Sequence, residues 1–372
     1  MRAMKHTNPF VVGGYRGPGF FCDRERETEK LLSAFANDRN VTLLAPRRYG
    51  KTGLIRNAFH HVPDGWTTVY ADVYATTDLR EFTQVLANAV AGSLDTVAEK
   101  AVSAAAKFFK SVRPTITPTE SGGLSFSFSV EKRDAEATLD GIFDYIASKD
   151  RRVVVAIDEF QQILEFPEKG TEAMLRSRIQ FLQNANFVFA GSRHHLLGEM
   201  FTSPRRPFYQ STDVLSLDVI PADRYESFAG RFFRDARRPF SAKAFASLYR
   251  RFDGVTWYLQ SVLNRVWGEG GGLASEADVD AAVRGLVEDR ALTFHDLLAA
   301  QSGVGRALLK AVAAERVVPE ITASAFLRKH GLSAPSSVRT AVPTLLKRDL
   351  LYRSGSGYLV YDYLFADYLR GI

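Results

Sequence analysis

Cysteine is almost missing from this sequence. Cys22 is the only one in 372 residues, so no internal disulfide can form, and a reducing compartment is expected. Long hydrophobic runs are missing too. No apolar stretch approaches the roughly 18–20 residues that a membrane-spanning helix needs. The first residues, Met1-Arg2-Ala3-Met4-Lys5-His6, lack the apolar core of a signal peptide. Together these absences predict a cytoplasmic protein with no membrane partner. There is no strong excess of one charge. Lys and Arg number 48 against 42 Asp and Glu, a net charge of +6, which permits nucleic-acid contact without requiring it. The histidine pairs His60-His61 and His194-His195 have no cysteine or acidic spacing near them, so they are not read as a metal centre. What is present is an ordinary globular composition, 46% hydrophobic and 24% charged, and a length that suits two or three domains.

The chain is organised around residues 41–52. The apolar run Val41 to Leu44 predicts a buried strand, and Lys51 to Phe59 a helix. Between them the chain fits G-x-x-x-x-G-K-[ST], with Ala45 in place of the first glycine. Loop N–H groups and the positive end of the helix suit α- and β-phosphates. Lys51 reaches the β- and γ-phosphates, Thr52 offers a hydroxyl to Mg²⁺, and Gly50 lets the backbone approach closely. The candidate binding stretch is Pro46, Arg47, Arg48, Tyr49, Gly50, Lys51, Thr52 and Gly53.

A second apolar run, Val153 to Ile157, is what a strand buried on both faces requires. It ends in Asp158-Glu159 at the sheet edge where open α/β sheets bind ligands. Asp158 would hold the hydration shell of Mg²⁺, and Glu159 would orient or deprotonate the attacking water. A further run, Phe187 to Gly191, leads to Ser192-Arg193. Ser192 would bond the γ-phosphate or the water, or else simply cap the next helix. Lys51, Glu159 and Ser192 are the candidate catalytic residues, and Thr52 and Asp158 the metal-holding ones.

Trp66 to Asp72 and Val214 to Asp218 complete a set of strands that alternate with helices, which argues for a parallel sheet. Ahead of them, a Gly-rich turn (Gly13 to Gly19) leads to a helix with Leu31, Leu32 and Phe35 on one face and Asp23 as N-cap. That segment is either packing or a lip over the nucleotide base. A long helical region covers about 78–110. Residues 112–130 read as an inserted β-hairpin with a Gly122-Gly123 turn, either a partner-contact ribbon or an extra edge layer. Arg205 and Arg206 form an exposed pair that could reach a neighbouring subunit's phosphate. Residues 221–295 are helical, with Gly268 to Gly272 as a hinge or turn. In 296–372, three helices and a glycine-turned hairpin spell a winged helix. Its third helix presents Ser336, Ser337, Arg339 and Thr340 to duplex DNA, although such modules also grip proteins or act as lids.

Phe21-Cys22-Asp23-Arg24-Glu25, Pro46-Arg47-Arg48-Tyr49-Gly50-Lys51-Thr52, Ile157-Asp158-Glu159-Phe160-Gln161 and Ala190-Gly191-Ser192 together resemble the archaeal-type ATPases and their bacterial relatives. These belong to the STAND branch of P-loop NTPases, near AAA+ proteins and origin-recognition ATPases. The resemblance implies an α/β P-loop core over 1–220, a helical lid over 221–295 and a winged helix over 296–372. It implies ATP with Mg²⁺ as cofactors, with Lys51 and Thr52 on phosphates and metal, Asp158 on metal and Glu159 catalytic. Relatives often carry Gly-Gly-Ile-Pro at the lid, where this chain has Asp253-Gly254-Val255-Thr256. They often carry Gly-Arg before the fifth strand, where it has Gln210-Ser211, which leaves Arg205 or Arg206 for any trans-acting arginine. The expected function is an ATP-hydrolysing switch that forms nucleotide-dependent homo-oligomers and signals to DNA or a protein. The alternative is a DNA-binding or protein-interaction scaffold that uses ATP structurally.

Overall fold

The computed structural model describes residues 8–94, 107–109, 113–118, 124–269, 272–332 and 334–371. Among these, 11–225 with 255–257 form one compact unit, and 8–10, 226–254 and 258–371 form another.

The first unit holds β1 (Val41–Leu44), β2 (Thr67–Asp72), β3 (Arg113–Pro118), β4 (Leu124–Ser129), β5 (Val153–Asp158), β6 (Ala185–Gly191) and β7 (Asp213–Ser216). Five of them make one sheet in the order β2-β5-β6-β1-β7, with every neighbouring pair parallel. Helices α1 (Glu25–Ala36) and α2 (Lys51–His60) cover one face, and α3 (Leu79–Leu94) and α4 (Ala135–Ala147) the other. Alternation along β5 shows why its sequence is uniformly apolar. Val153, Val155 and Ile157 bury in the core beneath α3 and α4, while Val154 and Ala156 bury in the core beneath α1 and α2. Each valine or isoleucine here contributes about 1.5–3 kcal/mol by leaving water, and a polar residue in its place would forfeit that contribution.

The strand order fixes the site. Because β6 lies between β5 and β1, the residue after β6 stands between the carboxylates that end β5 and the loop that follows β1. The register aligns these ends, with Asp72 beside Asp158 and Leu44 beside Gly191.

Several expectations shift. Trp66 lies just outside β2, and β7 runs from Asp213 to Ser216 rather than to Asp218, because its ladder with β1 is only as long as β1 itself. Asp23 is not the N-cap. Both Asp23 and Arg24 are left-handed (φ 55° and 75°), and Arg24 occupies the cap position with no side-chain cap. Its guanidinium instead bonds Glu27 at 2.7 Å and the carbonyl of Asp218. The long helical region is seen as α3, and residues 95–106 and 110 lie outside the described residues. β3 and β4 form the antiparallel ribbon, and its Gly122-Gly123 turn also lies outside them. The ribbon is tied to the core: Phe128 is buried and its N–H donates to Asn88 Oδ1 at 2.7 Å.

In the second unit, residues 226–254 and 258–299 are largely helical; Gly270 and Gly271, within the glycine-rich stretch, are not described. Asn8-Pro9-Phe10 belongs here. Phe10 is buried among Phe232, Phe233 and Trp267; the Asn8 amide donates to the Asn264 carbonyl and the Asn264 amide to the Phe10 carbonyl. The C-terminal part comprises α5 (Gly303–Glu315), α6 (Ser324–Lys329), α7 (Pro335–Lys347), the antiparallel pair β8 (Leu351–Ser354) and β9 (Gly357–Val360), and α8 (Tyr363–Arg370). Three helices followed by a hairpin are the winged-helix order. On α7, Ser336, Arg339 and Thr340 are exposed, and Ser337 is half-buried in a groove facing Gln301, Ser302 and Gly305.

Candidate nucleotide site

The loop after β1 turns through two left-handed residues, Arg48 (φ 73°) and Gly50 (φ 90°). Nothing lies within 4 Å of where a Cβ on Gly50 would stand, so this side of the loop is open. No side chain caps the start of α2, the arrangement in which a helix N-terminus suits an anion. The neighbouring residues are held from outside. Arg47 Nε donates to Ser192 Oγ at 3.2 Å, and its guanidinium lies 5.6 Å from the Tyr74 ring. Arg48 stacks 4.5 Å from the ring of Trp257, and the backbone N–H of Trp257 donates to the Arg48 carbonyl at 3.1 Å. Gly53 is close-packed against Phe21. In the arm before α1, Tyr15 donates to Asn57 on α2 at 2.8 Å.

The residues read from two distant motifs meet here. Lys51 is buried, and its Nζ lies 3.1 Å from Glu159 Oε1 and 3.8 Å from Asp158 Oδ1. Thr52 Oγ1 donates to Asp158 Oδ2 at 3.0 Å. Ser192 donates twice to Glu159 Oε2, through its hydroxyl at 2.7 Å and its N–H at 3.1 Å. Ser192 is therefore turned to the candidate base rather than to open space. Gln161, given no role by its position in the sequence, donates to the same oxygen at 2.7 Å. Glu159 is left-handed (φ 58°), and this bend folds the following turn, Phe160–Glu165, back so that Gln161 returns to it. A side chain at Gly191 would collide with Gln161.

Two more groups escaped the sequence reading. Tyr70 on β2 donates to Asp158 Oδ2 at 2.7 Å. Asp72, beside Asp158 in the ladder, adds a third carboxylate to this edge. Burial raises the Asp72 pKa; the Tyr74 N–H works against this, and the charges of Asp158 and Glu159 add to it.

Three carboxylates, Asp72, Asp158 and Glu159, gather at this edge around Lys51, with Arg47 held beside them on Ser192. Among the described residues, no group of three or more His, Cys, Asp or Glu could hold a metal ion unaided. That donor set fits a hard cation such as Mg²⁺ that arrives with phosphates, held by one hydroxyl and one carboxylate while keeping its waters. The residues therefore fit a magnesium nucleotide.

Burial is the largest single influence on Glu159 and would raise its pKa. The Lys51 ammonium, followed by the donors from Gln161 and Ser192, outweighs it and holds the carboxyl at about 2, against an ordinary 4.5. A depressed acid stabilises the fold fully above its ordinary value and loses that contribution as pH falls toward the folded one. Nucleotide-free protein is therefore expected to lose stability as pH falls from 4.5 toward 2, and Glu159→Gln to lose less over that window. Chemical denaturation across that range measures it; equal pH slopes for the two proteins would contradict it.

The remaining predicted residues lie elsewhere. Arg193 pairs with Glu165 at 3.0 Å. Arg206 pairs with Glu172 and Glu199, each at 3.3 Å. Arg205 is exposed, and among the described residues it makes no ion pair.

Residues 21–262 match the family described as an ATPase domain predominantly from Archaea, and residues 292–371 match a probable winged helix domain. Among curated proteins, none matches the sequence. Among solved structures, the fold is similar to that of the Walker-type ATPase PABY2304 of Pyrococcus abyssi. Identity is 19% over 97% of this chain and 99% of that one, with a TM-score of 0.65. It is also similar to the ORC2 protein of Aeropyrum pernix, solved in ADPNP–ADP complexes. There the identity is 14% over 99% of this chain and 98% of that one, with a TM-score of 0.52. The family match covers more than half the sequence and includes both the phosphate loop and the carboxylate pair, so this chain belongs to the ATPase-domain family found predominantly in Archaea.

Proposed function

We propose that this protein is a Mg²⁺-dependent ATP-hydrolysing switch, with residues 221–295 as its lid and the winged helix carrying the nucleotide state to duplex DNA or a protein partner. The observation that carries this reading is the meeting of Lys51, Thr52, Asp158 and Glu159 at one edge of a parallel sheet, from segments 108 residues apart. When bound, Mg²⁺ supplies charge stabilisation to the phosphates. Lys51 turns from Glu159 to the β- and γ-phosphates. Thr52 and Asp158 would hold the ion, and Pro46 to Gly53 would wrap the phosphate chain. Glu159, released by Lys51, orients the attacking water and accepts its proton, while Ser192 bonds the γ-phosphate or that water. The ORC2 protein of Aeropyrum pernix, whose fold is similar, was solved in ADPNP–ADP complexes, which supports an adenine nucleotide as the ligand.

The resting contacts of Glu159 also bear on rate. A carboxylate held at about 2 by Lys51, Gln161 and Ser192 is a weak base until these donors let go, so turnover depends on their release. The same contacts favour the second reading, a DNA-binding or protein-interaction scaffold that holds ATP with little turnover. Since Arg206 is committed to Glu172 and Glu199, Arg205 is the better candidate for a trans-acting arginine in a nucleotide-dependent homo-oligomer. Ser336, Ser337 and Arg339 are the candidate DNA contacts, and the cytoplasm is the expected compartment.

The test is phosphate release by the full chain with and without duplex DNA at low salt, where phosphate-backbone contacts are strongest. Stimulation by DNA supports the switch. Tight ATP binding with no turnover in either condition supports the scaffold.

A further inference from the structure

We propose that Tyr70 is a positioning residue for the Mg²⁺-holding carboxylate, its phenol fixing Asp158 so that Thr52 and Asp158 meet the ion as a prearranged pair. The inference rests on the ATPase reading above and goes beyond the two sequence motifs, neither of which contains Tyr70.

Asp158 Oδ2 accepts two hydroxyl bonds, from Tyr70 at 2.7 Å and from Thr52 at 3.0 Å. Oδ1 accepts the Glu159 N–H at 3.0 Å. Three donors from β2, α2 and the end of β5 therefore define both the position and the rotation of one carboxylate. β2 is the outermost strand on this side of the sheet and lies between Asp158 and the sheet edge, and Asp158 is buried. The alternation of β2 sends Val69 and Ala71 into the core under α3, and turns Tyr70 to the opposite face, against the cluster that holds Leu54, Ile55 and Ala58 of α2. The ring is fixed as well as buried on one side, with the Arg56 guanidinium 4.1 Å from its centre. A tyrosine here supplies a rigid, uncharged donor. It orients the carboxylate without competing with the cation for it, as a lysine would, and without adding to the negative charge, as an acid would. Donors behind a metal-holding group commonly set metal affinity by about 10–100-fold.

Tyr70→Phe keeps the ring and removes only the hydroxyl. ATP affinity is measured for the full wild-type chain and for Tyr70→Phe by calorimetric titration, once in EDTA and once in Mg²⁺. The expected result is equal affinity in EDTA, with the gain that Mg²⁺ brings reduced about tenfold or more in Tyr70→Phe. An equal Mg²⁺ gain in both proteins would overturn the role of Tyr70 and leave the ATPase reading standing. The same loss in EDTA as in Mg²⁺ would mark Tyr70 as packing only and overturn the proposal. A wild-type chain that binds no ATP in either condition would overturn both readings together.

Discussion

Glu159→Gln is expected to keep ATP bound and to lower its turnover by about 10²–10⁴-fold, the range that a positioned base contributes. The fold should tolerate the change. The glutamine carbonyl can still accept the Ser192 hydroxyl and N–H, which now meet one carboxylate oxygen at 2.7 and 3.1 Å. What goes is the proton acceptor, together with the ion pair to Lys51. Binding titration beside phosphate release separates the two effects. A variant that hydrolyses ATP at the wild-type rate would remove Glu159 from the chemistry.

Lys51→Ala should have the opposite signature, a loss at the binding step. The ammonium contacts both Glu159 and Asp158, and it is buried. Losing a charge-assisted contact to phosphate costs about 1.5–3 kcal/mol, so ATP affinity should fall about 10- to 100-fold or more. The nucleotide-free protein should also be weakened, because the two carboxylates are left facing each other without their counter-charge. Removing one partner of a buried pair typically costs about 3–5 kcal/mol. Lys51→Ala with Glu159→Gln makes the decisive comparison. Stability should recover in the double variant and ATP affinity should not. Recovery of both would mean that Lys51 serves the fold alone.

The central sheet was legible in the sequence because β1, β5 and β6 are buried on both faces and are therefore written as continuous apolar runs. The phosphate loop was legible because glycine, lysine and threonine must follow one another at fixed spacing where a strand gives way to a helix. The supporting groups were not. Tyr70 sits in an alternating strand, where a tyrosine reads as packing, and only the pairing of β2 with β5 brings its hydroxyl to Asp158. Gln161 depends on a left-handed glutamate, for which sequence carries no mark. Trp257 reaches Arg48 across more than 200 residues of chain. Asp23 misled for a related reason. An acid just ahead of a helix is a common cap, but here Arg24 is drawn to the carbonyl of Asp218, 194 residues away, and takes the cap position itself. The N-terminal Phe10 likewise finds its aromatic partners only through the fold of the second unit.

The measurement that tests the central claim most directly is single-turnover hydrolysis, with the full chain in excess over ATP labelled at the γ-phosphate, in Mg²⁺ and in EDTA. The site described here predicts that label binds, and that in Mg²⁺ alone it is released as inorganic phosphate, slowly and through Glu159. Label that never associates with the protein, or that is released equally in EDTA and in the Glu159→Gln chain, would contradict it.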